Sequence, residues 1–450
     1  MDILFEQRMQ MLLKDEYQNF KTALLKKPIK AFYLNPKKKD VIQHLEYQYL
    51  TKHPYINDAY FYDYDSYPLG KHPYFNCGLY YIQEPSAMAV ASSVEFNKDD
   101  YILDMCAAPG GKTCYVASRL SDEGLMIAND INKLRAGILS ENIERFGITN
   151  TIVTNCDPVK LDKQFNCFFD KIILDAPCSG EGMFRKLDIA IETWSIDKVY
   201  ECAKIQRRLI DAAYKMLKDD GILIYSTCTY SLEENEEQVD YMVNELNMEL
   251  LEIKKQPGMS SGYNNDKVVR MYPHINKGEG QFIALLKKHS DDKTKLKKHS
   301  DDKTKKVKLL KPNVTSQQLD LIKKFYDDNL KINVPSLLYN SNNHIYAILP
   351  QFPELKGVKV LRNGLYLGEC KKGRFEPSHS LALTLNMDDV KRYYNFKSDD
   401  IEVVKYIHGE TLIGNNQKGY GLILVDGYPL SFYKESNNQV KNLYPKGLRR

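Results

Sequence analysis

At 450 residues the chain is too long for one ordinary hydrophobic core, and two or three domains are expected. Its 43% apolar and 27% charged residues, with no run of about 18 apolar residues, argue against a membrane span. Mixed charges over Met1–Tyr17 argue against a secretory leader, which leaves the cytoplasm as the expected compartment. The net charge of +4 is weak evidence for an anionic partner, because 50 lysines against 13 arginines is a bias that an AT-rich genome produces by itself.

Residues 3–26 carry a helical pattern. Tyr17 to Lys39 then holds seven lysines and no acid, either a solvated face or a patch that meets phosphates. A tyrosine-rich extended stretch lies around Ala59–Tyr67. From residue 100 strands and helices alternate. Strands are predicted at Tyr101–Met105, Gly124–Asn129, Thr151–Thr154, Lys171–Leu174 and Ile222–Thr227. Helices are predicted at Lys112–Ser121, Lys133–Phe146, Val199–Leu217 and Glu233–Leu246. That alternation implies a parallel, doubly wound α/β sheet.

Residues 286–305 are one decapeptide, Leu-Lys-Lys-His-Ser-Asp-Asp-Lys-Thr-Lys, written twice. It is too polar to bury a core and too short a unit for a solenoid, so it reads as a charged linker. Beyond it, short β-prone runs with glycine turns, such as Tyr420–Val425 and Gly427–Tyr433, predict a small, mostly β module. Nine cysteines show no Cys-x-x-Cys pair and no zinc spacing, so no metal site is expected, and most are read as buried apolar fillers.

Three segments carry chemistry. Between the first predicted strand and helix lies Asp104-Met105-Cys106-Ala107-Ala108-Pro109-Gly110-Gly111-Lys112-Thr113. Paired glycines permit a tight turn and close ligand approach at the strand ends of an open sheet. The turn matches neither Gly-x-Gly-x-x-Gly nor the P-loop, whose first glycine slot holds no glycine here. Asp130, Asp157 and Asp175 end the next three strands. One such acid usually caps a helix or starts a turn. Three around one glycine turn suit a nucleoside cofactor, with ribose at Asp130 and adenine near Asp157. Cys178, in Asp175-Ala176-Pro177-Cys178-Ser179-Gly180, and Cys228, in Tyr225-Ser226-Thr227-Cys228-Thr229-Tyr230, stand just past successive strands. A lone strand-end cysteine is usually packing; two beside a cofactor crevice point to covalent chemistry.

Segments 104–113, 175–186 and 225–231 together resemble the signatures of the NOL1/NOP2/Sun family of S-adenosylmethionine-dependent RNA cytosine-5 methyltransferases. The ending Asn442-Leu443-Tyr444-Pro445-Lys446-Gly447-Leu448-Arg449 is similar to the PUA-like module of the bacterial RsmF-like subgroup, which acts on small-subunit ribosomal RNA. The resemblance implies a Rossmann-like methyltransferase core, an N-terminal α+β extension and a mostly β PUA-like domain. It implies S-adenosylmethionine held by Cys106, Ala107, Ala108, Pro109, Gly110, Gly111, Lys112, Asp130, Asp157 and Asp175. Cys228 would add to cytosine C6, Asp175 would hydrogen-bond the base, and Cys178 would assist release of the adduct. RNA is the implied partner, with no membrane and no metal, and a monomer is expected. The corresponding domains are 1–98 (RNA-binding extension), 99–288 (catalytic), 289–308 (charged linker), 309–375 (intermediate) and 376–450 (PUA-like). A DNA cytosine-5 methyltransferase is the nearest enzymatic rival, but its Glu-Asn-Val tripeptide is absent. A ribosome-assembly RNA-binding protein with a decayed methylase core is the rival of another class; the intact glycines and Cys228 speak against it.

Overall fold

The computed structural model describes residues 2–289 and 307–449. Most of the charged segment expected as a linker over 289–308 lies outside those residues. At the centre, five strands run parallel in the order Thr151–Asn155, Leu125–Asn129, Tyr101–Asp104, Phe169–Asp175, Leu217–Thr227. Their side chains alternate between two buried faces. Ile102, Met126, Val153, Ile173 and Ile224 belong to one core, and Leu103, Ile127, Ile152, Ile172 and Leu223 to the other. Strands covered on both sides read as near-continuous apolar runs, which is why they were legible in the sequence.

Helices cover both faces. Lys133–Arg145 starts at Asn132, whose side chain accepts from the N–H groups of Leu134 and Arg135. Ile196–Met216 starts at Ser195 in the same way. The chain winds outward from Tyr101–Asp104 through two strands, then returns to its other side at Phe169–Asp175. The reversal opens a crevice between the carboxyl ends of those two strands, the place where open α/β sheets bind ligands.

Antiparallel strands extend the sheet at both edges. Gln281–Lys287 pairs with Leu217–Thr227, and Lys359–Asn363 from the C-terminal third pairs with Thr151–Asn155. The N-terminal region is a four-stranded antiparallel sheet, in order Leu50–Lys52, Ala59–Tyr62, Lys30–Leu34, Tyr80–Gln83, preceded by helices. The C-terminal third holds a four-stranded sheet, from Leu338–Ser341 to Arg374–Pro377, and a five-stranded sheet that includes Gly419–Val425 and Tyr428–Ser436. The fold class expected from the sequence is the one observed.

Boundaries differ at several elements; the strand expected over Ile222–Thr227, for example, starts at Leu217, and the one expected over Lys171–Leu174 spans Phe169–Asp175. The helix expected over 3–26 is broken into Ile3–Leu13 and Tyr17–Leu24, because Lys14 takes a positive φ of 47°. The helix after the glycine turn ends at Ala117, and the one expected from Glu233 begins at Glu236. Most cysteines are not fully buried either: Cys77, Cys114 and Cys370 are, whereas Cys106, Cys156, Cys178, Cys202 and Cys228 are half-buried and Cys167 is exposed. Cys202 lies on the helix Ile196–Met216, and the other partly or fully exposed thiols lie in loops or just past strand ends.

Candidate active site

The glycine turn is held from outside. The Ala107 N–H donates to the Asn129 carbonyl (2.8 Å), while Arg135 and Asn142, both on Lys133–Arg145, donate to the carbonyls of Ala108 (2.6 Å) and Pro109 (2.8 Å). The Tyr33 hydroxyl donates to the Gly111 carbonyl at 2.7 Å. Gly110 sits at φ 110°, which favours glycine, and a Cβ at Gly111 would come 2.7 Å from the Gln83 amide. The turn is thereby fixed at the mouth of the crevice before any ligand arrives.

Four acids surround it. Asp104 is buried, takes a hydrogen bond from the Thr113 hydroxyl (2.7 Å), and leaves Oδ1 without a partner. Burial pushes its carboxyl up to about 7. Asp130 is buried too; its Oδ1 accepts from the Asn132 N–H (2.8 Å), and Arg135 lies 3.6 Å from Oδ2. Asp157 caps the Pro158–Lys163 turn by accepting from the Val159 N–H, with Arg208 at 3.9 Å. A carboxylate oxygen free of a close donor at Asp130, one strand away from the glycine turn, fits the hydroxyls of a ribose. The orphaned Asp104 Oδ1 fits a further donor such as an ammonium.

Asp175 faces a different environment. Its Oδ2 meets the Lys112 ammonium at 2.7 Å, and its Oδ1 accepts from the Ser226 hydroxyl (2.7 Å) and, at 3.4 Å, from Gln281. Burial lowers the Lys112 pKa and the Asp175 charge raises it, for a net upward shift that keeps the ammonium charged. Lys112 and Asp175 therefore act as one ion pair across the switch point.

Past the ends of the two adjacent parallel strands, the sulfurs of Cys178 and Cys228 lie 3.1 Å apart. The contact with Cys228, and then burial, hold the Cys178 thiol well above its usual range. The next residues also touch: the hydroxyls of Ser179 and Thr229 are 2.8 Å apart. Two buried carboxylates, Glu181 and Glu234, tie the two thiol loops together from below. The fold thus gathers Asp175, Lys112, Cys178 and Cys228, which the sequence singled out, at one rim of the crevice. Asp130 and Asp157 lie along the other, on the strands beyond the glycine turn. Sequence reasoning gave no role to Asp104, Ser226, Gln281, Glu181 and Glu234. Asp104 had a visible signal as the acid that ends the first strand; Gln281 had none, because it enters on an antiparallel strand more than 50 residues later.

Comparison with known proteins shows the family. The family model described as 16S rRNA methyltransferase RsmB/F matches residues 91–287. Models for the N-terminal domain of RsmF, its first C-terminal domain and its PUA domain match residues 2–85, 324–385 and 393–450. Ribosomal RNA small subunit methyltransferase F of Vibrio vulnificus (strain YJ016) is 31% identical over 403 residues, spanning 86% of this chain and 82% of the relative. The Aeromonas salmonicida protein of the same name is 30% identical, spanning 85% and 82%. Among solved structures, NSun6 from Pyrococcus horikoshii with SFG, an S-adenosylmethionine analogue, is 26% identical with a TM-score of 0.57. That similarity covers 64% of this chain and 98% of the archaeal one. With its crevice, its paired thiols and a relatedness that runs through all four regions, the chain belongs to the 16S rRNA methyltransferase RsmB/F family and is a SAM-dependent RNA methyltransferase.

Proposed function

We propose that the protein methylates C5 of a cytosine in small-subunit ribosomal RNA through a covalent adduct between Cys228 and C6 of the base. The observation that carries this reading is the 3.1 Å approach of two thiols beside the Lys112–Asp175 pair. Cytosine C5 is a poor nucleophile until a group adds at C6. The Cys228 thiolate forms the S–C6 bond, and the electron pair of the C5–C6 double bond becomes available at C5. Asp175, ordered by Lys112 and Ser226, accepts from the amino group of the base, and the Lys112 ammonium beside it offsets the negative charge that develops on the ring. S-adenosylmethionine, when bound, supplies the methyl group that C5 takes. Loss of the C5 proton to a base then restores the double bond, breaks the S–C6 bond and releases Cys228 as its thiolate, a step that Cys178 assists from 3.1 Å away.

Cys106 to Lys112, Asp130, Asp157 and Asp175 would hold the cofactor; the orphaned Asp104 oxygen and the open Asp130 carboxylate support that assignment. The archaeal relative solved with the analogue SFG supports the same ligand. Reaching such a crevice requires the base to leave its stack, with lysines and the PUA-like region gripping the phosphodiester backbone around it. The names of the bacterial relatives support small-subunit rRNA as substrate and the bacterial cytoplasm as the place of action.

Two replacements test the reading together. Cys228→Ala is expected to abolish methyl transfer while S-adenosylmethionine binding, read by calorimetry, survives. Cys178→Ala is expected to accumulate a protein–RNA adduct that persists in denaturant. Activity near wild type in the first variant would remove Cys228 from the mechanism; unimpaired turnover without an adduct in the second would remove Cys178. Bisulfite sequencing of rRNA from a deletion strain checks the substrate.

A further inference from the structure

Beneath the two thiols lies a chain of four oxygens, and counting its protons gives a result that its distances alone do not. Glu234 Oε1 contacts the Ser179 hydroxyl, Ser179 Oγ contacts Thr229 Oγ1 at 2.8 Å, and Thr229 Oγ1 contacts Glu181 Oε2 at 2.8 Å. Three contacts need three protons, and two hydroxyls supply two. One carboxyl must therefore bring the third.

The fixed N–H donors say which. Glu181 has one on each oxygen: the Trp194 indole N–H on Oε1 (2.9 Å) and the Tyr230 backbone N–H on Oε2 (2.8 Å). Its Oε1 also accepts from the Ser231 hydroxyl (2.6 Å), whose own oxygen faces Arg8. A proton on either oxygen of Glu181 would have to share that oxygen with a fixed N–H donor, which favours the ionised form. Glu234 has both of its N–H donors on Oε2, from the Ser179 backbone (3.0 Å) and the Gln206 amide (2.8 Å), so Oε1 faces only a hydroxyl. We infer that Glu234 is a positioning residue that carries a proton on Oε1 at neutral pH, and that this proton keeps the loops bearing Cys178 and Cys228 in register.

In that state Glu234 donates to Ser179, Ser179 to Thr229, and Thr229 to the ionised Glu181. Ser179 follows Cys178 directly and Thr229 follows Cys228, so the relay sets the spacing of the two sulfurs. Losing the Glu234 proton leaves the Ser179–Thr229 contact without one and puts a second charge opposite Glu181. Glu181, Cys178, Cys202 and Tyr225 are the titratable groups that face Glu234 from neighbouring elements, and all four are acids. Independently of the proton count, burial pushes the Glu234 carboxyl up to about 7.

The inference rests on the cysteine chemistry proposed above, but its test separates the two. Methyl transfer is measured against pH for the wild type and three variants, each checked for folding by circular dichroism. Wild-type activity is expected to fall as pH rises past about 7. Glu234→Ala should lose about tenfold or more, the scale of a broken buried hydrogen bond. Glu234→Gln, whose amide N–H replaces the carboxyl proton, should recover most of that loss and flatten the alkaline fall. Glu181→Gln should not recover, because its amide would oppose a fixed N–H donor. Infrared spectra of wild type minus Glu234→Gln should show a protonated-carboxyl stretch at neutral pH. A Gln variant as impaired as the Ala variant, a tolerated Glu181→Gln, or a missing carboxyl stretch would each overturn the inference. The infrared result stands whether or not Cys228 proves to be the nucleophile.

Discussion

Asp104 and Asp175 end neighbouring parallel strands and differ in what surrounds them. Asp175 has a lysine and a serine. Asp104 has one threonine hydroxyl, a bare oxygen and almost no solvent. Because burial raises the folded-state pKa of Asp104 from 3.8 to about 7, the folded protein holds its proton more tightly than the unfolded chain does. The stability this gives is fully present below the unfolded value and is lost as pH rises through about 7. We expect thermal melts of the ligand-free protein to fall between about pH 4 and about pH 7 and to flatten above that, with Asp104→Asn removing on the order of 4 kcal/mol of that fall. An unchanged pH slope in the variant would place the dependence elsewhere, Glu234 being the next group to examine.

Single elements are anchored by ion pairs that the sequence pattern conceals. Lys171 is buried near the start of Phe169–Asp175, and its ammonium meets Asp100 at 2.5 Å, just before Tyr101–Asp104. Asp100 also accepts from the Asn97 N–H at 2.8 Å, so this pair fixes where the first strand begins. Burial of this pair turns it into a constraint on register. Lys171→Met should cost about 3–5 kcal/mol, because it strands a buried carboxylate. Lys171→Met combined with Asp100→Leu should recover most of the loss, a cycle that denaturant unfolding can measure. The lysine-rich segment behaves similarly: Lys21 pairs with Glu6, Lys27 with Asp65, and Lys38 donates to the Leu383 carbonyl, where burial lowers it to about 8. Part of that charge holds the fold together and is not free to meet RNA. Arg207 likewise lies 3.7 Å over the Tyr241 ring, and Arg208 approaches Asp157.

Across the whole molecule, the two ends of the chain pack together. Phe32, Tyr60 and Tyr80 from the N-terminal sheet share a core with Val403, Tyr406, Val425 and Tyr433 from the last region. The Asn76 amide donates to the Tyr444 hydroxyl, the Tyr74 hydroxyl to Asp426, and the Tyr428 hydroxyl to the Lys39 carbonyl. Lys359–Asn363 completes the edge of the catalytic sheet, and its Arg362 reaches Glu144 (2.8 Å) and Ser380 (2.9 Å). A chain ended after residue 288 loses both contacts. It should expose the Thr151–Asn155 edge and the aromatic face of the N-terminal sheet, and form aggregates visible by light scattering. A truncated protein that stays monodisperse with an unchanged melting temperature would show that these contacts are dispensable for folding.

The sequence alone determined the alternating core and the glycine turn and singled out the candidate site residues, because a strand buried on both faces and a tight turn each restrict composition locally. It also placed Cys178 and Cys228 at successive strand ends. Only the tertiary structure decided that their sulfurs lie 3.1 Å apart, that Lys112 turns onto Asp175, and that Glu234 closes a proton relay beneath them. Those contacts join residues 50 or more positions apart. Their geometry follows from strand order and register, which no local pattern of residues encodes.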